Sequence, residues 1–101
     1  MALLYITEYG ALQDGVLAKT AMIVNQAPVA VGGAAVLSAV FRNGTRYARL
    51  HLDTNGGFGA NVDIGTNPIA IANVSMRIAP NATEYFGVNP GDRVSVILAT
   101  V

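Results

Sequence analysis

The 101-residue chain contains no cysteine. A disulfide framework, a thiolate nucleophile and a cysteine-based zinc site are therefore excluded. Its single histidine, His51, also excludes a metal site built on two histidines. Long apolar runs are missing as well, because the longest, residues 29–41, is broken by Gly32 and Gly33 and is shorter than the ~20 residues of a membrane-spanning helix. We expect no membrane partner and no cofactor.

Charged residues are also scarce in this sequence. Only 12% of the residues are charged, against roughly 25% in ordinary soluble domains. The six basic and six acidic residues cancel and form no basic run, so a nucleic-acid partner is not expected. With so few charges, much of the surface of a small monomer would be aliphatic or uncharged, and burial against other chains is the simplest way to remain soluble. The composition predicts an oligomer or a component of a larger assembly.

The end of the chain has the clearest strand pattern. Residues 83–88 and 93–101 both alternate with a period of two, on either side of Asn89-Pro90-Gly91-Asp92. Pro90 favours the backbone angle of the second turn position, and Gly91 supplies the positive φ that follows it. The pattern predicts an antiparallel strand pair.

Asn43-Gly44 predicts a second hairpin, because both residues tolerate the positive φ of a type I′ turn. It would join residues 35–41 to residues 45–52. The second of these strands is predicted to place Ala48, Leu50 and Leu52 in the core and Tyr47, Arg49, His51 and Asp53 on the outward face.

Further strands are predicted over residues 60–64, 69–74 and 75–78, which gives about eight short strands separated by turns rich in Gly, Asn and Pro. This spacing is typical of an all-β fold, a small antiparallel β-sandwich or barrel with a jelly-roll or other Greek-key order. Residues 29–101 are predicted to form this domain. Residues 1–28 are interpreted as an N-terminal extended arm. The arm includes a weak helix candidate, residues 11–19, which is interrupted by Gly15. The alternative for residues 1–28 is an ordinary first strand and loop of the sandwich.

Two groups of polar residues could form chemical sites. His51 and Asp53 share a strand face, which permits a general base oriented by a carboxylate. No nucleophile motif accompanies them, so we interpret the face as polar surface and expect no catalytic residue. Oxygen ligands near the glycine-rich loop, residues 54–59, lack the closing Glu of a calcium-binding EF-hand loop, and turn chemistry explains them; no metal site is expected. These ligands are Asp53, Asn55, Asn61 and Asp63.

Four aromatic side chains, Tyr5, Tyr9, Tyr47 and Phe58, are candidate interface residues, since aromatic residues are enriched at interfaces. Ordinary core packing is the alternative for each. A carbohydrate-binding surface built from Tyr47, His51 and Phe58 is a further hypothesis.

Three stretches carry a resemblance to a known family: Leu-Leu-Tyr-Ile-Thr-Glu-Tyr at residues 3–9, Asp-Ile-Gly-Thr-Asn-Pro at residues 63–68, and Ala-Thr-Glu-Tyr-Phe-Gly-Val at residues 82–88. Together they resemble small virion proteins of tailed bacteriophages, of the capsid decoration (cement) type. The resemblance implies a homotrimer on the capsid surface that clamps adjacent capsomers, with the major capsid protein as partner and synthesis in the host cytoplasm. It implies no catalytic residues. A tail or baseplate component is the alternative within the same class.

Overall fold

A computed structural model describes residues 2–100, and this part of the chain is built almost entirely of β-strands. A single 3₁₀ turn, Lys19–Ala21, is its helical segment. The prediction of an all-β fold is confirmed. The eleven strands are β1 (Ala2–Tyr9), β2 (Leu12–Gln13), β3 (Val16–Leu17), β4 (Met22–Asn25), β5 (Val29–Val31), β6 (Val36–Leu37), β7 (Tyr47–Thr54), β8 (Ala60–Gly65), β9 (Met76–Ile78), β10 (Thr83–Gly87) and β11 (Arg93–Leu98).

The strands form two main antiparallel sheets. The larger sheet has the order β10–β7–β1–β4, and β5 pairs with β1 on the same side as β4. The smaller sheet has the order β6–β11–β8–β9. Most neighbouring strands are not consecutive in the sequence, in agreement with the expected Greek-key-like order. The sheets remain separate, so the fold is the sandwich and not the barrel.

The core lies between the two sheets because each long strand turns alternate side chains inward. Ala48, Leu50 and Leu52 of β7 are fully buried, which confirms the inward face predicted for this strand. They pack with apolar residues of the smaller sheet, among them Val94 and Val96. Each fully buried Leu or Val side chain contributes about 1.5–3 kcal/mol.

The prediction of an N-terminal arm is wrong for β1. This strand pairs with β7 along its full length and with β4 and β5 on its other side, so it lies inside the larger sheet. Leu4 and Ile6 are buried in the core. The chain therefore adopts the alternative, a first strand of the sandwich, because the apolar alternation of β1 supplies one of the buried faces that the core requires.

The weak helix candidate at residues 11–19 is also wrong. Strands β2 and β3 form a hairpin around Asp14 and Gly15, whose φ angles are 53° and 82°. Two consecutive residues with positive φ define a type I′ turn, for which Asp-Gly is a favoured pair. The Asp-Gly pair was the local signal for this hairpin.

The turn at Asn89–Asp92 forms, but it does not join paired strands. The Asp92 N–H donates to the Asn89 carbonyl at 3.1 Å, and Gly91 has a φ of 87°. Strand β10 nevertheless pairs with β7, whereas β11 pairs with β6 and β8. Phe41 hydrogen-bonds to both Gly91 and Asp92 at this point. The turn carries the chain from one sheet to the other, and the predicted strand pair is wrong.

The prediction of a hairpin at Asn43-Gly44 is also wrong, because this turn too does not join paired strands. Gly44 has a φ of 88° and the Thr45 N–H donates to the Arg42 carbonyl at 3.1 Å, but Asn43 does not take the positive φ of a type I′ turn. The turn leads from the smaller sheet into β7. Glu8, buried in the core, holds it: its Oε1 accepts the Arg42 N–H at 2.8 Å and the Thr45 hydroxyl at 2.7 Å.

Candidate functional site: a tyrosine cleft and an apolar loop

The outer face of the larger sheet carries all four tyrosines of the chain. Tyr5 and Tyr9 lie on β1, Tyr47 on β7 and Tyr85 on β10. The strand register places Tyr9 opposite Tyr47, and Tyr85 opposite Arg49. Side chains directly opposite each other on antiparallel strands have Cβ atoms about 4.5–5.5 Å apart. The strand pairing therefore gathers these residues into one aromatic surface.

The β2–β3 hairpin stands beside this surface and encloses a cleft with it. The cleft has a volume of about 550 Å³, within the range of about 300–1,000 Å³ typical of small-ligand sites. Gly87, opposite Tyr47, has no side chain and leaves the floor of the cleft open. The hairpin contributes Leu12, Val16 and Leu17 to the walls, and the sheet contributes Tyr9, Tyr47, Arg49 and Tyr85.

Arg49 is the cation of the tyrosine cleft. On the outer face it lies between Thr7 of β1 and Tyr85 of β10. Among residues 2–100, Arg49 forms no ion pair with a carboxylate. Thr7 is itself engaged, because its hydroxyl donates to Asn25 Oδ1 at 2.7 Å. The guanidinium therefore keeps its donors available for an anionic group that enters the cleft.

His51 lies on the same outer face but is not oriented by Asp53. Its Nδ1 is 2.8 Å from the hydroxyl oxygen of Thr83, the residue directly opposite on β10. Asp53 lies one step further along β7, opposite Leu3, and is exposed. The geometry thus does not provide the carboxylate–imidazole pair of the general-base hypothesis.

The four candidate oxygen ligands for calcium do not share one site. Asp53 belongs to the larger sheet, whereas Asn61 and Asp63 lie on β8 of the smaller sheet. Asn61 and Asp63 bind backbone groups of the following loop. Within the described residues no three His, Asp or Glu side chains are grouped so as to hold a metal ion.

Phe58 is exposed, as an interface residue would be, but it lies away from the tyrosines. It borders a shallow depression of about 180 Å³ together with Ala2, Val31 and Leu98. The hypothesis that placed Tyr47, His51 and Phe58 on one surface is therefore wrong for Phe58. Sequence reasoning missed Tyr85, whose position beside Arg49 depends on the pairing of β10 with β7.

A second exposed surface lies on the opposite side of the sandwich. The connection between β8 and β9, residues 66–75, covers the outer face of the smaller sheet. Ser95 Oγ accepts the Ala70 N–H at 2.9 Å, Asn61 Oδ1 accepts the Asn73 N–H at 2.8 Å, and Asn61 Nδ2 donates to the Ser75 carbonyl at 2.6 Å. Asn61 is 3% exposed and Ser95 is 1% exposed. The connection is therefore held in a defined conformation by buried side chains.

Three aliphatic side chains of this connection point away from the protein. Ile69 is 71% exposed, Ile71 is 54% exposed and Val74 is 75% exposed; we call residues 69–75, which carry these side chains, the apolar loop. The strand predicted over residues 69–74 is wrong, because side chains of β8 and β11 take the place of a neighbouring strand as hydrogen-bond partners. The apolar loop is a non-polar surface without a partner in the single chain.

Comparison with known proteins identifies no relative: no protein-family model matches the sequence, and no curated protein or solved structure matches it. In residues 2–100 there is no helix with the length and apolar character needed to cross a membrane. The class defined by the fold is an antiparallel β-sandwich. Its two candidate binding surfaces, the tyrosine cleft and the apolar loop, lie on the outer faces of different sheets.

Proposed function

We propose that this chain is a non-enzymatic virion protein that attaches to the capsid surface of a tailed bacteriophage and stabilises contacts between major capsid subunits. The observation that carries the proposal is the apolar loop. Ile69, Ile71 and Val74 are all more than half exposed. Transfer of such side chains into an interface is favourable by about 1.5–3 kcal/mol each when burial is complete.

The hydrogen bonds beneath the loop make it suited to attachment. Asn61 and Ser95 hold its backbone from below, and Asn73 binds both the backbone N–H and the side-chain hydroxyl of Thr100. A surface that is ordered before binding loses less conformational entropy when it binds. A small apolar contact of this kind suits a protein that must remain bound to a rigid shell.

The capsid as partner comes from the family resemblance, and the low charge supports an assembled state. A capsid presents the same joint between subunits many times, so a modest contact per copy adds up over the particle. In a trimer, three apolar loops would engage one site together, and such multivalent binding is tighter than a single contact. A tail or baseplate component is the alternative, in which the same loop binds a tail protein at low copy number.

Rebinding to particles that lack the protein tests this proposal. We expect the triple variant Ile69→Ser, Ile71→Ser, Val74→Ser to bind about tenfold or more weakly, because about 1.4 kcal/mol of lost burial is sufficient for that change. Val16→Ser is the matched control: it makes the same kind of change at an aliphatic residue that is 66% exposed on the hairpin. Retention of the folded triple variant at the wild-type level would show that attachment does not use the apolar loop.

A further inference from the structure

The tyrosine cleft lies on a different face from the proposed attachment surface and requires its own explanation. Its walls combine three tyrosine rings with aliphatic hairpin side chains, and a single unpaired cation, Arg49, lies among them. We propose that the cleft binds an acidic oligosaccharide, with a sugar ring against the tyrosines and its carboxylate on the Arg49 guanidinium.

The tyrosine rings suit a sugar because both have a non-polar face and polar edges. Tyr47 and Tyr85 flank the open floor at Gly87, where the strand backbone lies uncovered. A pyranose ring placed there lays its C–H groups on an aromatic face, while the phenol hydroxyls remain available for its hydroxyl groups. Leu12 and Val16 of the hairpin cover the opposite side of the cleft.

The charge in the tyrosine cleft selects the acidic class of sugar. Arg49 presents a planar fork of donors that matches a carboxylate, and its neighbours on the adjacent strands are Thr7 and Tyr85, which carry no opposing charge. The nearest carboxyl group on the outer face of β7 is that of Asp53, four residues further along the strand. Asp14, at the tip of the hairpin beside the cleft, forms no ion pair with Arg49. A ligand carboxylate therefore meets an unneutralised cation.

The rest of the outer face extends the surface for further sugar units. Beyond the cleft lie two hydrogen-bonded pairs, Thr7 with Asn25 and His51 with Thr83. Hydroxyl, amide and imidazole groups of this kind exchange hydrogen bonds with sugar hydroxyls in both directions. An extended peptide is the other occupant that an aromatic groove accepts, but it would read alternate side-chain pockets. The face beyond the cleft instead presents the polar side chains of the two hydrogen-bonded pairs.

Titration of the full-length protein with tetragalacturonate, followed by the tyrosine ring resonances in NMR spectra, tests the proposal. We expect shifts of Tyr9, Tyr47 and Tyr85, and about tenfold or more weaker binding of uncharged cellotetraose. Arg49→Gln should reduce tetragalacturonate binding to the cellotetraose level. Gly87→Val should abolish binding of both, because a Cβ at this position meets only the Arg46 carbonyl at 4.0 Å and the new side chain fills the cleft floor without disturbing the fold.

Gly65→Val is the matched control, since Gly65 lies at the end of β8 and an added Cβ there meets nothing within 4 Å; it should bind like the wild type. The apolar-loop triple variant should also bind the sugar normally, so loss of particle attachment and loss of sugar binding are separate results. The proposal would be overturned if neither sugar binds or if Gly87→Val binds the sugars as the wild type does. Binding of a proline-rich peptide in place of the sugars would also overturn it.

Discussion

Asn61→Ala is the most informative change beneath the apolar loop. The Asn61 side chain is 3% exposed and makes two hydrogen bonds to the loop backbone, to Asn73 N–H at 2.8 Å and to the Ser75 carbonyl at 2.6 Å. A buried polar group left without a partner costs about 1–3 kcal/mol. Loss of the Asn61 amide leaves two such backbone groups unpaired and should therefore destabilise the closed loop by about 2–6 kcal/mol, unless the loop opens and water replaces Asn61.

Local opening is the expected response, because the smaller sheet keeps its strand pairing without Asn61. Hydrogen exchange should show loss of protection at the amides of Ala70 and Asn73, with protection of β7 and β11 retained. Urea denaturation should show that the free energy of global unfolding falls by less than the free energy of local loop opening. Asn67→Ala is the matched control in the same connection: Asn67 is exposed, and the change should alter stability by no more than about 0.5 kcal/mol.

The same variant connects stability to function. If the order of the loop assists attachment, Asn61→Ala should weaken rebinding to particles even though Ile69, Ile71 and Val74 are intact. Unchanged protection of the loop amides, together with unchanged stability, would refute the conclusion that Asn61 holds the loop. Loss of protection throughout the sandwich would show that Asn61 supports the whole fold.

Three further results are expected. Glu8→Ala should cost about 3–5 kcal/mol in urea denaturation, because three donors lose their acceptor, whereas Glu8→Gln should cost about 1 kcal/mol; equal costs would contradict this. Gly59→Ala should cost about 1–3 kcal/mol or more, because the new methyl group would overlap the Ile78 carbonyl oxygen, whereas Gly57→Ala, with open space around it, should be close to neutral. Light scattering at micromolar concentration should show an oligomer, a trimer if the family resemblance holds, and a monomer mass would count against it.

Local patterns in the sequence predicted several individual strands and their inward faces. The alternation in β7 correctly placed Leu50 and Leu52 in the core, and Gly91 takes the positive φ that its turn requires. These features depend on a few neighbouring residues. They could be derived because strand faces and turn conformations follow from local chemistry.

Strand partners could not be derived in the same way. Asn43-Gly44 and Asn89–Asp92 both form turns, yet each turn carries the chain between sheets, and the partner of each strand is distant in the sequence. Burial of Glu8, which holds the first of these turns, is a long-range contact with no local signal. The error about the arm has the same origin, since β1 is identified as an inner strand only by its pairing with β7.

The candidate site could be predicted only in part, again because strand pairing joins residues that are distant in the sequence. Tyr5, Tyr9 and Tyr47 are candidate interface residues in the sequence, with core packing as the alternative, and the strand register brings them to one face. Tyr85 and the apolar walls of the hairpin join them only through tertiary pairing and packing. The apolar loop was interpreted as a strand because its alternating Ile69 and Ile71 resemble one, and its true partners are side chains of β8 and β11.

Quantitative mass spectrometry of purified phage particles tests the central proposal most directly. The chain should be recovered with intact particles, in an amount comparable to that of the major capsid protein, because each joint between subunits would hold a copy. Recovery at only a few copies per particle would place it in the tail or baseplate. Its absence from purified particles would contradict a structural role in the virion.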